Sequence, residues 1–293
     1  MSQVTLNDAL YAEIPMDLHT HTWHSPDAAS QTVEERIEAA RKMQLRIMAV
    51  TDHVEINRWY PASYYQQKET EEFPYDSMTV FSGSVSETVR ARAAHPSSGV
   101  KVLCGTEIGQ IPQDPALSKQ VYSDPRLDLV IGSVHELPGL PDFFFLNYSE
   151  IDIPLLMQMY FEEVLRLAES DCYDILGHLT YGLRYIPNRF RYDITPHLPV
   201  IDSIFRAVIK REKAVELNGS GLRHSPPFTD PDLMLLRRYR QLGGELLSIG
   251  SDAHDTRHLA YGTSRLLRIA KDAGFSYLTY FERHQPVLIP LVL

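Results

Sequence analysis

Seven short apolar runs in this chain each end in a histidine, a carboxylate or an asparagine. The first covers about 14–20 and carries Asp17-Leu18-His19-Thr20-His21. Side chains alternate along a strand, so residues two apart share a face and Asp17, His19 and His21 point the same way. Paired imidazoles are good ligands for a divalent metal and poor core residues, because each buried ring needs hydrogen-bond partners. The same device then recurs. The run 46–50 ends at Thr51-Asp52-His53, 100–104 at Gly105-Thr106-Glu107, and 127–131 at Gly132-Ser133-Val134-His135. The run 173–176 ends at Gly177-His178, 214–217 at Asn218, and 245–249 at Gly250-Ser251-Asp252-Ala253-His254.

Helices or long crossovers separate these runs. Thr32 to Glu35 has the form of a capping box, and Val33, Ile37, Ala40 and Met43 follow at helical spacing, which predicts a helix over 33–44. Further helices are expected over 152–169, 199–212 and 263–273, and from an Asp230 N-cap with Pro231 at the first helical position to Leu242. Strands alternating with helices imply a parallel sheet, and right-handed crossovers close it. No glycine-rich nucleotide fingerprint accompanies the strands, so an open doubly wound sheet is disfavoured. The expected fold is α/β, a distorted (β/α)7 TIM-like barrel in a single domain over 1–293. In such barrels the active site sits at the C-terminal ends of the strands, where every polar group above falls.

The stretch 54–97 is the least readable. Asn57 to Pro61, Tyr64 and Tyr65 are aromatic and loop-like, and 84–94 looks helical. It is expected to be an insertion above the second strand, either a substrate lid or a packed excursion. From 276 the chain adds a short apolar finish.

Six of the twelve histidines (His19, His21, His53, His135, His178 and His254) belong to the strand-end set. Imidazole with carboxylate suits zinc, manganese or iron. With so many candidate ligands, two or three divalent ions are expected, and Glu107 is placed to bridge two of them. Such a cluster lowers the pKa of bound water and neutralises a phosphoryl oxygen, so no serine or cysteine nucleophile is needed. Glu107, Asp252 and His254 are the candidate catalytic groups. Arg184, Arg223 and Arg257, each just beyond a strand end, are candidate phosphate clamps, since arginine grips phosphate through two hydrogen bonds. Asn218 is a further candidate for substrate binding.

The net charge of −10 argues against nucleic acid as a partner. A small phosphorylated substrate remains compatible, because bound cations reverse the local field. Cys104 and Cys172 lie in no metal-binding spacing and are expected as free thiols in a reducing compartment. The first residues lack a signal-peptide pattern and no run approaches the length of a membrane span, so a cytoplasmic location is expected. The oligomeric state is left open.

Taken in order, these motifs resemble those of the PHP (polymerase and histidinol phosphatase) superfamily from about 15 to 275. The resemblance implies a (β/α)7 barrel with a trinuclear metal site. It implies His19, His21, Glu107 and Asp252 around one ion, Glu107, His135 and His178 around a second, and Asp27, His53 and His254 around a third. At position 27 many relatives carry histidine; His24 lies near but is less well placed. Asp17 is implied as a residue orienting a ligand histidine. Glu216 to Arg223, Gly132 to His135 and Asp174 to Leu179 are similar to the histidinol-phosphate phosphatase branch, although Thr180 stands where several such enzymes carry aspartate. The implied reaction is hydrolysis of L-histidinol phosphate by attack of a metal-bound hydroxide, a step of histidine biosynthesis. The alternatives are a PHP phosphoesterase acting on another small ester or a nucleotide, a nuclease, a non-catalytic metal protein, and an amidohydrolase-type enzyme. The last is disfavoured because no strand-end lysine is present.

Overall fold

Parallel strands form a ring, with helices outside it. The computed structural model describes residues 16–56 and 76–291. Strand β1 (Met16–Asp17) pairs with β2 (Ile47–Val50), which resumes beyond Thr51 and Asp52 as β3 (His53–Glu55). Both pieces pair with the long β4 (Lys101–Gly109), so they act as one interrupted stave. The order continues through β5 (Leu129–Ser133), β6 (Ile175–Leu176), β7 (Ala214–Asn218) and β8 (Leu247–Gly250), every pairing parallel. The Leu18 amide donates to the Ile249 carbonyl at 3.1 Å, and Thr20 bridges Ala253 in parallel, which returns the last stave to the first. This is a distorted seven-stave TIM-like barrel.

The helices are α1 (Val33–Lys42), α2 (Ser77–Ala94), α3 (Pro115–Tyr122), α4 (Ile153–Ala168), α5 (Leu198–Lys210), α6 (Leu233–Gln241) and α7 (Thr263–Asp272). The Thr32–Glu35 capping box starts α1, with the Glu35 amide on Thr32 Oγ1 at 3.2 Å and the Thr32 amide on Glu35 Oε2 at 2.7 Å. Such a cap contributes about 1 kcal/mol. One face of α1 then buries Val33, Ile37 and Ala40 against Met48 and Val50 of β2, and each larger side chain so buried contributes about 1.5–3 kcal/mol. That packing fixes the β2 end from which His53 emerges.

Three features differ from expectation. Helix α6 begins two residues later than expected: Asp232, not Asp230, caps it, accepting from the Leu235 amide at 3.0 Å. Asp230 is instead fully buried beside the site. Helix α3 was not foreseen, although Asp114 and Pro115 supply its N-cap and first helical residue. The apolar tail forms an antiparallel hairpin of β9 (Tyr277–Glu282) and β10 (Gln285–Pro290). Residues 57–75, which carry the aromatic part of the expected lid, lie outside the described residues, as do 14 and 15 of the first strand and the start of the chain. Among the described residues no helix is long and apolar enough to cross a membrane, and Cys104 and Cys172 are both free thiols.

Candidate metal centre

Glu107, near the end of β4, is the hub. It is fully buried, and both its oxygens face imidazoles. Oε1 lies 2.9 Å from His178 Nε2 and 3.1 Å from His135 Nε2, and accepts from the Ser133 hydroxyl at 2.6 Å. Oε2 lies 2.8 Å from His53 Nδ1, 3.3 Å from His19 Nε2 and 3.7 Å from His21 Nε2. Asp252 adds a second carboxylate, with Oδ1 3.5 Å from His21 Nε2 and 3.9 Å from His19 Nε2. At the rim, Asp27 Oδ2 is 3.1 Å from His254 Nε2 and 3.6 Å from His53 Nε2. Asp27 is the open side of the cluster, its side chain 57 % exposed.

The donor set fits divalent ions. His19 Nε2, His21 Nε2 and Glu107 Oε2 are buried with no hydrogen-bond partner, yet they converge on one point. Orphaned polar atoms so placed are costly unless something else completes their coordination. Ligands about 2.1 Å from a tetrahedral ion stand roughly 3.4 Å apart, close to the spacings above. Four overlapping groups have ligand atoms all within 4.8 Å of one another: His19, His21 and Asp252; His19, Glu107 and His178; His53, Glu107 and His135; and His21, His53 and His254.

The charge distribution favours this use. Burial works against ionising Glu107, but His19, His135 and His53 outweigh it and hold the carboxyl well below its ordinary range. Asp252 is held down in the same way, against burial, by His19, His21 and His254. Burial and the neighbouring His254 and His53 hold His21 well below its ordinary value, so its ring is neutral and its lone pair free. His135 is the opposite case: burial disfavours its charge, but Glu55 and Glu107 raise it to about 10. Without metal it is therefore protonated at neutral pH, and its stabilising contribution is complete below about 6.5 and lost as the pH rises towards 10. A histidine must be neutral to ligate a metal, so loading at His135 would displace that proton. Adding zinc to metal-free protein in weakly buffered solution at pH 7.5 should release at least about one proton per chain, read with an indicator dye. Metal uptake without acidification would contradict this ionisation state.

Buried carboxylates and backbone contacts aim the rings. His19 Nδ1 meets Glu216 Oε1 at 2.7 Å, while Glu216 Oε2 accepts from the His178 amide at 2.8 Å. His135 Nδ1 meets Glu55 Oε1 at 3.0 Å, and Gln110 ties Glu55 Oε2 to the His135 amide. His21 Nδ1 lies 3.2 Å from Ser25 Oγ, which donates to Asp52. Such partners fix ring orientation and ligand basicity. Gly250 makes the His19–Glu216 contact possible, since a Cβ there would lie 2.3 Å from the His19 Cβ and 2.5 Å from Glu216 Oε1. Glu216 and Glu55 were not singled out in the sequence, although strand alternation places Glu216 on the Asn218 face and Glu55 on the His53 face.

Several expected residues take other places. Asp17 reaches the backbone of His19 and not its ring: the Asp17 carboxylate accepts from the His19 amide at 3.4 Å, and from the Ser251 amide and hydroxyl and the Ala260 amide, anchoring the segment that carries Asp252 and His254. Asn218 is fully buried and donates to Glu216 at 3.2 Å and Asp252 at 3.4 Å, so it braces the carboxylates. Arg223 donates to the Ser251 and Asp252 carbonyls at 2.7 and 3.0 Å and braces the same loop. Arg257 is a correction: its side chain is 81 % exposed and its guanidinium is held by Asp255, apart from the cavity. His24 leaves the cluster for Glu87 of α2 at 2.8 Å. Of the three arginines only Arg184 lines the cavity beside the cluster. Its guanidinium contacts Asp230 Oδ2 at 3.0 and 3.2 Å, and its Nη1 lies 3.6 Å from Asp252 Oδ2.

The chain is similar to known proteins. A sequence profile of the PHP domain matches residues 17–220. A probable histidinol-phosphatase of Thermotoga maritima is 35 % identical over 224 residues, covering 70 % of this chain and 91 % of that protein. One from Clostridium acetobutylicum is 27 % identical over 271 residues, 91 % of this chain and 96 % of the relative. Among solved structures, the histidinol phosphate phosphatase of Lactococcus lactis, complexed with zinc, L-histidinol and phosphate, superposes with a TM-score of 0.76 at 21 % identity. It covers 93 % of this chain and 98 % of that one, a likeness of fold.

Proposed function

The chain belongs to the PHP domain family, and from that premise we propose that it is a metal-dependent phosphomonoesterase hydrolysing L-histidinol phosphate to L-histidinol and phosphate. The observation that carries this reading is the convergence of His19, His21, His53, His135 and His178 on the two oxygens of Glu107, beside a cavity entered by a buried arginine. The histidinol-phosphatase names of the T. maritima and C. acetobutylicum relatives supply the substrate.

Two or three divalent ions, of zinc, manganese or iron, would be held by His19, His21, Glu107 and Asp252, by Glu107, His135 and His178, and by Asp27, His53 and His254. Such ions, when bound, activate water for in-line attack and neutralise charge on the phosphoryl group. The chain's own residues do the rest. Glu107 and Asp252 stay ionised at neutral pH because the surrounding imidazoles hold their carboxyls down. Arg184 would grip the phosphoryl oxygens, its guanidinium already oriented by Asp230. Glu216 and Glu55 keep the His19 and His135 rings from turning. A count of ions per chain tests the role of the outer group: three would make His254 a ligand, and two would leave its imidazole, with Nε2 3.1 Å from Asp27 Oδ2, free of metal.

The test is phosphate release by purified protein supplied with zinc or manganese, from L-histidinol phosphate beside glycerol phosphate and a nucleoside monophosphate. We expect kcat/KM for L-histidinol phosphate to exceed the others by about 10² or more. A better rate on the nucleotide would reassign the substrate. No release from any ester, with metal bound, would overturn the phosphatase reading.

A further inference from the structure

One carboxylate lining the cavity stands apart from the metal cluster. Asp27, Glu55 and Asp252 each face at least one basic side chain. Asp142 has no lysine, arginine or histidine within ion-pair distance among the described residues, although it lines the same cavity. Its Oδ1 accepts from the Phe144 amide at 2.7 Å and the Tyr181 hydroxyl at 3.0 Å. Among the described residues its Oδ2 has only the longer contact to that same hydroxyl, at 3.2 Å. A carboxylate oxygen accepts about two hydrogen bonds, so Oδ2 is under-used. Capping the short 143–145 turn accounts for Oδ1 alone.

We propose that Asp142 determines specificity: its carboxylate receives a cationic nitrogen in the alcohol part of the phosphate ester while Arg184 holds the phosphate end. This rests on the phosphomonoesterase reading above and extends it to the substrate class, an amino-alcohol phosphate. Tyr181 sets the spacing. Its hydroxyl bonds Asp142, its ring lies beneath the Arg184 guanidinium at 4.8 Å, and the same ring packs 5.0 Å from both His135 and His178. An anion site and a cation site thus stand at the two ends of one tyrosine, beside the metal ligands. A ligand lying across it needs a negative and a positive group a few bonds apart, which L-histidinol phosphate has and glycerol phosphate lacks. Burial works against ionising the Asp142 carboxyl and His135 offsets this only from beyond ion-pair distance, so a cationic partner in direct contact stabilises it further.

The experiment compares the unaltered protein with Asp142→Asn on L-histidinol phosphate, O-phosphoethanolamine (an ammonium without a ring) and glycerol phosphate, with bound metal measured in each. In the variant, kcat/KM for the two cationic esters should fall at least about 30-fold, chiefly through KM, because a charge pair is broken. Glycerol phosphate should stay within about threefold, because it makes no such pair. Equal losses on all three esters, or no loss on the cationic ones, overturn the proposal. Should the variant fail to fold, the unaltered protein still decides, since O-phosphoethanolamine must beat glycerol phosphate by about tenfold or more. Release from all three esters at equal efficiency overturns this inference alone. No release from any of them overturns the phosphomonoesterase reading and this inference with it.

Discussion

Glu107→Gln should lose activity by about 10⁴-fold and come off purification with fewer ions per chain. The side chain keeps its shape but exchanges a carboxylate oxygen for an NH2 group. Both oxygens of Glu107 are engaged, one with His135 and His178 and the other with His19, His21 and His53. Whichever way the amide turns, a donor then faces imidazole nitrogens that must offer lone pairs. The negative charge that would be shared between neighbouring cations is lost too. Elemental analysis of metal per chain, run beside phosphate release, checks both halves. A variant with its full complement of metal and activity within tenfold of the parent would remove Glu107 from the centre of the site.

Replacing Arg184 with methionine should damage stability and activity together. The side chain is 7 % exposed and its guanidinium lies against Asp230, itself fully buried, with Asp252 nearby. Methionine fills similar space but leaves the Asp230 carboxylate with a weaker partner, Arg189 at 3.6 Å. Breaking a buried pair in this way costs about 3–5 kcal/mol, which should lower Tm by on the order of 10 °C in a chain this long. Loss of the phosphate clamp should lower kcat/KM by about 10²–10³. Arg184→Lys should recover more of the Tm than of the activity, because lysine supplies the charge but not the two-pronged grip. Thermal denaturation and steady-state kinetics on both variants separate these effects. An unchanged Tm in the methionine variant would mean that Asp230 does not depend on Arg184.

The barrel was legible because its strands are apolar and their ends are not. His19, His53, Glu107, His135, His178 and Asp252 each interrupt a hydrophobic run at the same place in a repeating unit, and a parallel sheet turns that repetition into a ring. What escaped notice had no such contrast. Glu216 sits inside the run 214–217, where a single polar residue reads as noise until its alternation with Asn218 is considered. Glu55 opens a stretch with no periodicity. The three arginines looked alike, since each follows a strand end, and only the folded chain separates them: Asp255 captures Arg257, two carbonyls take Arg223, and Arg184 alone reaches the cavity. The cap was expected at Asp230, whereas Asp232, on the other side of Pro231, takes that place. The choice between them is made by burial, because Asp230 is drawn under Thr180 and Arg184.

The closure of the ring has a kinetic meaning. Asp17 holds Ser251 across 234 positions of sequence, and His19 and His21 face Asp252 across a similar gap. No segment carries a complete set of ligands, so the centre cannot assemble piecemeal while the chain is being made. Contacts of such high contact order form late, after the intervening units have packed and shortened the loop to be closed. Ions held between these segments would act as a removable staple across the barrel seam. Occupancy of the site is therefore a sign that both ends of the barrel have met.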